Sequence, residues 1–315
     1  MWLLSTDRAE LQSFHAPEDV PGGYAILSHV WEEEEQTFQK TQALLAQCNK
    51  PGETKSPRDL ASPKVRHCCI IAESYGYKWI WDDTCCIDKE SSAELSEAIN
   101  SMFRYYSLAS ICFAYLFDVS HSNRQELRKK DSSFRRSKWH RHGWTLQELI
   151  APHSLIFLSK DWKVLGSKAN LAQVLEEITK VPVPILQMSR PANDFSIACR
   201  MSWAANRKTT RVEDMSYCLM GLFAINMPTL YGEGERAFIR LQEEIMKQSP
   251  DTSLFVWNDQ SDGVRPHHHT PLEPCDHSIP RNFLLAPSPK VFSHSTSVTF
   301  SPALIGDIQR VLNVS

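Results

Sequence analysis

Four short apolar segments, separated by stretches with helical periodicity, constrain the fold of this chain more than any other feature. Each is five to eight residues long and rich in aromatic and aliphatic side chains, which is typical of buried strands. They occupy residues 24–31, 78–83, 110–117 and 154–158. Helices are predicted at 64–75, from Ser91 or Ser92 onward, and at 144–150. Strands that alternate with helices in this way predict an α/β fold with a parallel sheet and flanking helices.

In a parallel sheet, ligands bind beyond the carboxyl ends of the strands. The polar and aromatic residues at the predicted strand ends are therefore candidate substrate-binding residues. They are Ser28, His29, Trp31, Asp82 and Asp83, followed by the loop after Phe117. An aromatic ring beside a hydroxyl could stack a base and hold a ribose or a phosphate. A capped strand end with a packed Trp31 explains the same residues without a ligand.

Beyond Lys160 the pattern becomes helical. Helices are predicted at residues 171–179, 197–205, 212–223 and 235–247, with apolar side chains on one face of each. After Pro250 the chain is rich in Ser, Pro and His, and the apolar pieces at 254–257 and 283–285 could be strands or a loosely attached tail. We therefore expect an α/β core over 1–165, a helical subdomain over 166–250 and a C-terminal extension over 251–315.

Composition excludes several classes of protein. Hydrophobic residues (42%) and charged residues (23%) match ordinary globular usage, and a net charge of −3 argues against nucleic-acid binding through overall charge. No apolar run approaches the roughly 20 residues needed to cross a bilayer, and the N-terminus is a poor signal peptide. The nine cysteines lack a Cys-x-x-Cys pair, so they are interpreted as reduced core thiols. These features predict a cytoplasmic protein without membrane or nucleic-acid partners.

Six ordered sequence blocks resemble the fungal heterokaryon-incompatibility (HET) domain. They are Tyr24-Ala-Ile-Leu-Ser-His-Val-Trp, Trp81-Asp-Asp-Thr-Cys-Cys-Ile-Asp-Lys, Glu94-Leu-Ser-Glu-Ala-Ile-Asn-Ser-Met-Phe-Arg-Tyr-Tyr, Gly143-Trp-Thr-Leu-Gln-Glu-Leu-Ile-Ala-Pro, Arg211-Val-Glu-Asp-Met-Ser-Tyr and Leu230-Tyr-Gly-Glu-Gly-Glu-Arg-Ala-Phe. The resemblance covers roughly residues 1–250. It extends to the N-terminal portion of incompatibility proteins in which a nucleotide-binding switch domain and WD repeats follow. A Walker-type Gly-x-x-x-x-Gly-Lys motif is absent from these 315 residues. The family pattern near Trp31 is closer to Trp-Gly, so Glu32 departs from it, and the loop there is expected to differ.

The resemblance implies a role in fungal non-self recognition that ends in cell death, with self-association and other incompatibility or NLR-type proteins as partners.

HET domains are similar to Toll/interleukin-receptor-like (TIR) domains with a flavodoxin-like sheet, some of which cleave NAD with the Glu of a Trp-x-x-x-Glu motif. Trp144 and Glu148 have that spacing, which places them on one face of a helix. Glu148 is the candidate catalytic carboxylate and Trp144 a candidate wall of the substrate pocket. NAD is then a substrate, and no cofactor is expected. Two alternatives remain. In the first, Trp144 is a core residue and Glu148 pairs with Arg141 or caps a helix. In the second, the protein is a non-enzymatic homotypic adaptor.

Four further features have simpler structural interpretations. Asp82, Asp83 and Asp88 could hold a hard cation such as Mg²⁺, but turn and cap chemistry explains them, and no metal site is predicted. The basic run 128–138 could attract a nucleotide, or it is a solvated loop. Gly232 and Gly234 lack a third Gly at the dinucleotide spacing and are expected to turn the chain into the following helix. His140, His142 and the run 267–269 lack the partners of a zinc site.

Overall fold

A seven-stranded mixed sheet forms the centre of the protein. The computed structural model describes residues 1–51, 54–257 and 284–301. The strand order across the sheet is β2-β1-β4-β3-β5-β6-β7. The strands are β1 (Trp2–Ser5), β2 (Leu11–Ser13), β3 (Ala25–His29), β4 (Trp79–Trp81), β5 (Ile111–Tyr115), β6 (Leu155–Leu158) and β7 (Val164–Ser167).

The four central strands are parallel, and all four lie within the predicted apolar segments. β3 pairs with β4 and with β5, and β5 pairs with β6. In chain order these four strands follow 2-1-3-4, the order of flavodoxin-like sheets. The carboxyl ends of β3, β4, β5 and β6 therefore lie along one edge of the sheet. The predicted α/β fold is confirmed.

Three antiparallel strands at the edges, β1, β2 and β7, were not predicted from the sequence. β1 pairs antiparallel with both β2 and β4, and β7 pairs antiparallel with β6. These strands have three or four residues and are buried at two positions at most. An edge strand buries less of its surface than a central one, so its sequence lacks the continuous apolar run that identifies β3 or β5.

Twelve α-helices occur in the described part of the chain. They are α1 (Phe38–Cys48), α2 (Pro57–Leu60), α3 (Pro63–Ser74), α4 (Ser92–Leu108), α5 (Arg124–Arg128), α6 (Ser133–Arg136), α7 (Thr145–Ile150), α8 (Ala172–Thr179), α9 (Val183–Leu186), α10 (Ile197–Ser202), α11 (Asp214–Tyr217) and α12 (Arg236–Gln248). The connection through α3 leads from β3 toward one edge of the sheet, and the connection through α4 leads back toward the other. Because such crossovers are right-handed, α3 and α4 cover opposite faces of the sheet.

The helices α3 and α4 begin and end where local sequence signals place them. Ser62 accepts a hydrogen bond from Val65 N at the start of α3, and Ser91 does the same for Glu94 N at the start of α4. Gly76, with φ +87°, follows the C-cap residue of α3. The predicted α3 is confirmed to within one residue at each end, and the predicted start of α4 is confirmed.

The predicted helix at 212–223 is interrupted. It consists of α11 and a separate 3₁₀ turn, Gly221–Phe223, and Ala224 then adopts a left-handed conformation with φ +56°. Gly221 packs so closely on Phe103 of α4 that a β carbon there would lie 2.1 Å from the Phe103 β carbon. This contact, together with the low helix propensity of glycine, favours a turn over a continuous helix.

The last described segment, 284–301, packs on the helices of the C-terminal half. Gln242 of α12 exchanges two hydrogen bonds with the backbone of Ala286, and Ser196 donates one to Val298 O. Residues Thr252–Phe255 form a 3₁₀ helix, not a strand. The predicted apolar piece that begins at Phe283 starts outside the described residues, and the histidine run 267–269 lies outside them altogether.

The cysteines of the core are buried free thiols: Cys68, Cys69, Cys85, Cys86, Cys112, Cys199 and Cys218. Burial raises the pKa of Cys68, Cys85 and Cys112 well above the usual value, which keeps these thiols protonated and unreactive. Within the described residues, no helix combines the length and the apolar character needed to cross a bilayer.

Candidate functional site

A cavity of about 280 Å³ lies at the edge of the sheet where the parallel strands end. Residues that follow β3 and β4 line it, together with side chains of α4 and α7 and of the segments around α11 and Tyr231. Five of the seven predicted site residues line this cavity: His29, Trp31, Asp83, Trp144 and Glu148. Ser28 and Asp82 are fully buried, and each is adjacent in sequence to a lining residue.

Glu148 is a buried carboxyl group that reaches the cavity from α7. Ser28 Oγ donates a hydrogen bond of 2.5 Å to Glu148 Oε2, and Trp139 Nε1 donates one of 2.8 Å to Ser28 Oγ. Burial raises the pKa of Glu148 to about 8, a rise that the Ser28 hydrogen bond opposes and the charge of Asp83 reinforces. The carboxyl group is therefore mostly protonated at neutral pH while the cavity is empty.

Trp144 and Glu148 lie on the same side of α7, as their spacing predicts. Trp144 is the N-cap residue of α7, and both side chains line the cavity. Burial raises the pKa of Asp214, and the neighbouring Tyr231 and Trp144 side chains oppose that rise. Glu148 is bonded to Ser28 and not to Arg141, the alternative partner suggested by the sequence.

The buried side chain of Arg207 fixes the start of α7 from the C-terminal half of the chain. Its Nη1 donates to His142 O and to Thr145 Oγ1, each at 2.9 Å, and its Nε donates to Trp203 O. Burial lowers the pKa of Arg207 to about 10, so the guanidinium remains charged at neutral pH. The position of Glu148 thus depends on a residue far outside the parallel sheet.

The rim of the cavity combines aromatic faces with cations. Trp31 is 53% exposed, and its indole donates a hydrogen bond of 2.7 Å to Asp83 Oδ2. Lys89 Nζ lies 3.6 Å from the Trp31 ring centroid, and the Arg211 guanidinium lies 4.5 Å from that of Tyr231. Aromatic surface beside mobile cations is suited to a ligand that has both flat rings and anionic groups.

The carboxylates after β4 take different roles. Asp82 Oδ1 accepts hydrogen bonds from the backbone and the hydroxyl of Thr84, which is the turn chemistry expected from the sequence. Burial raises the pKa of Asp82, and the neighbouring His29 opposes that rise. Asp88 Oδ1 is engaged by Gln39 Nε2 at 2.7 Å and by Glu90 N, away from the other two carboxylates.

The basic run 128–138 is largely engaged within the chain. Arg135 pairs with Glu177 at 2.6 Å, and Lys129 pairs with Glu126 at 2.7 Å. Lys138 Nζ lies 5.4 Å from the Phe117 ring centroid, at a separate groove next to the cavity.

The remaining sequence features are structural. Gly232 N and Gly234 N both donate to Glu213 Oε1, in the turn that leads into α12, as expected. Glu32 is not among the described residues with positive φ, so the departure from Trp-Gly carries no left-handed strain. His140 is buried against Phe134 and Trp139, and burial lowers its pKa to about 3.

Several residues of the site were not predicted as site residues. Trp139 holds Ser28, Tyr106 lines the cavity from α4, and Arg211, Asp214 and Tyr231 close it from the C-terminal half. Arg211, Asp214 and Tyr231 belong to two of the recognised sequence blocks, so the blocks themselves carried the signal. Trp139 belongs to no block, and nothing in its local pattern indicates its partner.

Comparison with known proteins agrees with the family that the sequence blocks indicate. The model of the heterokaryon incompatibility protein (HET) family matches residues 24–132. A second model, a domain of unknown function (DUF8212), matches residues 236–314. The chain is therefore a fungal HET-domain protein.

One relative is similar to this chain over most of its length. The vegetative incompatibility protein HET-E-1 of Podospora anserina is 43% identical in a match of 258 aligned positions, and the match covers 78% of this chain. The match spans 18% of the length of that relative. No solved structure matches the chain.

Proposed function

We propose that this protein acts in heterokaryon incompatibility as an effector of non-self-induced cell death, and that it hydrolyses the N-glycosidic bond of NAD or a related nucleotide. The similarity to a vegetative incompatibility protein supports the biological role. In this proposal, self-association in the cytoplasm switches the activity on, and other incompatibility proteins act as partners.

The observation that carries the enzymatic part is the buried carboxyl group of Glu148 at the wall of an aromatic cavity. In the hydrolysis, the C1′–N bond breaks and its electron pair goes to the pyridinium nitrogen, so nicotinamide leaves as a neutral base. The oxygen of a water molecule bonds to C1′, and the proton that this water loses passes to solvent. The ribose is oxocarbenium-like in between, and an ionised carboxylate stabilises that positive charge.

The ionised form of Glu148 has to be available for this role. Burial raises its pKa to about 8, and a cationic pyridinium in the cavity favours the charged carboxylate. The substrate therefore helps to ionise the group that acts on it. Ser28, which donates to Glu148 Oε2, holds the carboxylate in position.

The rim residues supply binding for the rest of the nucleotide. Trp31 and Trp144 present aromatic faces to the cavity, and Lys89 and Arg211 are the cations at its rim. Ring stacking and phosphate attraction are the interactions that such residues offer. Asp82 supports the site from behind the cavity wall, through the turn that it makes with Thr84.

Release of nicotinamide from NAD tests the proposal. Concentrated protein is incubated with NAD, and wild type is compared with Glu148→Gln, which keeps the shape of the side chain and an acceptor for Ser28. We expect the variant to lose about 10²- to 10⁴-fold in rate. The matched control is Glu97→Gln, an exposed carboxylate on α4, which should keep the wild-type rate. Full toxicity of Glu148→Gln in cells, with no turnover by assembled wild type, would refute the enzymatic proposal.

The second candidate is a non-enzymatic homotypic adaptor that passes the signal to a separate executioner. The observation that favours it is the pair of buried hydrogen bonds that links Trp139 to Ser28 and Ser28 to Glu148, because such bonds would also stabilise the core of a protein without catalytic activity. Under this alternative, Glu148→Gln keeps both self-association and toxicity. The enzymatic proposal is favoured if Glu148→Gln self-associates as wild type does but is no longer toxic.

A further inference from the structure

Three ligating side chains converge beside the cavity on two neighbouring parallel strands. His29 is the last residue of β3, and Asp82 and Asp83 directly follow β4. One ligand atom from each residue, an imidazole nitrogen or a carboxylate oxygen, lies within 4.8 Å of the other two. His29 Nε2 is 3.9 Å from Asp83 Oδ1. Asp88, which the sequence analysis grouped with these aspartates, is bonded to other residues, and the third ligating side chain of the cluster is His29.

Two of these groups are buried without a hydrogen-bond partner. Among the described residues, His29 Nε2 and Asp82 Oδ2 are both inaccessible to solvent and unpaired. His29 is 6% exposed and Asp82 is fully buried. An unpaired buried polar atom typically costs about 1–3 kcal/mol, so two of them side by side indicate a missing partner.

Neighbouring donors hold the carboxylates in place. Thr84 binds Asp82 through Oδ1, which leaves Oδ2 unused, and the Trp31 indole binds Asp83 through Oδ2, which leaves Oδ1 facing His29. Hydrogen bonds of this kind orient the ligands of a metal ion and fix which oxygen is available. Glu35, whose Oε1 lies 3.8 Å from His29 Nε2, is already bonded to Lys64.

We propose that His29, Asp82 and Asp83 form a binding site for a divalent transition-metal ion. One imidazole nitrogen with two carboxylate oxygens suits Mn²⁺, Fe²⁺ or Zn²⁺ better than Mg²⁺ or Ca²⁺, which take oxygen ligands. Ligands bound at about 2.2 Å lie at most about 4.4 Å apart, so the cluster reaches that geometry with small side-chain shifts.

The ion would also face the cavity. His29 and Asp83 are lining residues, so the remaining coordination positions open toward the space in which a ligand would bind. Water or an oxygen atom of that ligand takes those positions. The site does not depend on the proposed chemistry of Glu148, because it rests on different residues and is tested by metal binding alone.

Manganese binding to the full chain tests the site. Protein stripped with a chelator is titrated with Mn²⁺, and bound ion is counted by electron paramagnetic resonance in the absence of any nucleotide. We expect about one Mn²⁺ per chain, with ¹⁴N coupling from an imidazole in the pulsed spectrum. Asp83→Asn should weaken binding at least 10-fold, and His29→Gln should abolish the ¹⁴N coupling. The matched control is Asp88→Asn, which should bind as wild type does.

The outcomes separate clearly. Circular dichroism shows whether each variant is folded. If the aspartate variant does not fold, the ¹⁴N coupling of wild type decides, because it reports the histidine ligand without any mutation. No stoichiometric binding to wild type, binding without ¹⁴N coupling, or equal losses in Asp83→Asn and Asp88→Asn would each overturn the proposal.

Discussion

Ser28, on the first parallel strand, donates a hydrogen bond of 2.5 Å to Glu148, which lies 120 residues further along the chain. The same hydroxyl accepts from the Trp139 indole. The contact joins β3 to α7 at the edge where the parallel strands end, and it places a buried carboxyl group at the wall of the cavity. The chemistry proposed for the protein depends on this relationship.

The pH dependence of NAD hydrolysis follows from the raised pKa of Glu148. The active form is the carboxylate, so the rate at low NAD concentration should increase with pH, with its midpoint near the pKa of about 8, and level off about one pH unit higher. An ordinary glutamate would give a flat profile above pH 6. Steady-state rates from pH 5.5 to 9.5, measured in chelator, check this, and a rate that falls with pH over this range would contradict the assigned role.

The stability of the fold should also depend on the ionisation of Glu148. Its pKa rises from 4.5 to about 8 on folding, so between these values the folded chain keeps a proton that the unfolded chain has lost. The free energy of unfolding should therefore fall as pH increases through this window, by an amount on the order of 2–4 kcal/mol. Urea unfolding of wild type and Glu148→Gln at pH 5, 6.5 and 8 measures the difference. Glu97→Gln should retain the wild-type slope.

Ser28→Ala removes both hydrogen bonds of the hydroxyl. It leaves the buried Trp139 indole without its acceptor, and we expect a loss of about 1–3 kcal/mol in unfolding free energy. Because the Ser28 hydrogen bond lowers the pKa of Glu148, the midpoint of the pH–rate profile should move upward. Ser74→Ala, an exposed serine at the end of α3, should change neither quantity. An unchanged midpoint in Ser28→Ala would show that the hydroxyl does not tune the carboxyl group.

Gly221→Ala should destabilise the contact between the C-terminal half and α4. The added β carbon would lie 2.1 Å from the β carbon of Phe103, so we expect a loss of at least about 2 kcal/mol. Since the closest clash is with the β carbon and a second one is with the ring carbon Cγ, Phe103→Ala should relieve less of it than Phe103→Gly. Thermal unfolding of the single and double variants in the two double-mutant cycles measures the coupling free energy between positions 221 and 103. Equal coupling in both cycles would show that the ring, and not the β carbon, determines the packing.

The central strands and the first helices were predictable because their signals are local. β3 and β5 are buried at nearly every position, so their apolar runs stand out in the sequence. The spacing of Trp144 and Glu148 placed them on one face of α7 for the same reason, since helix geometry fixes it. The antiparallel strands β1 and β7 could not be predicted, because each is short and has too few buried positions to leave a continuous apolar run. The break at Gly221 could not be predicted, because Gly221 packs on Phe103 of α4, which is distant in sequence.

The sequence by itself therefore determined the class of fold, the edge of the sheet where polar residues collect, and the family to which the blocks belong. Tertiary structure decided which of those residues meet. It joined Glu148 to Ser28 and Ser28 to Trp139, brought Arg207 to the start of α7, and set His29 against Asp82 and Asp83. The physical reason is that periodicity and turn chemistry act over a few residues. Burial, charge and hydrogen-bond partners at a site come from segments that the fold brings together from 53 to 120 residues apart.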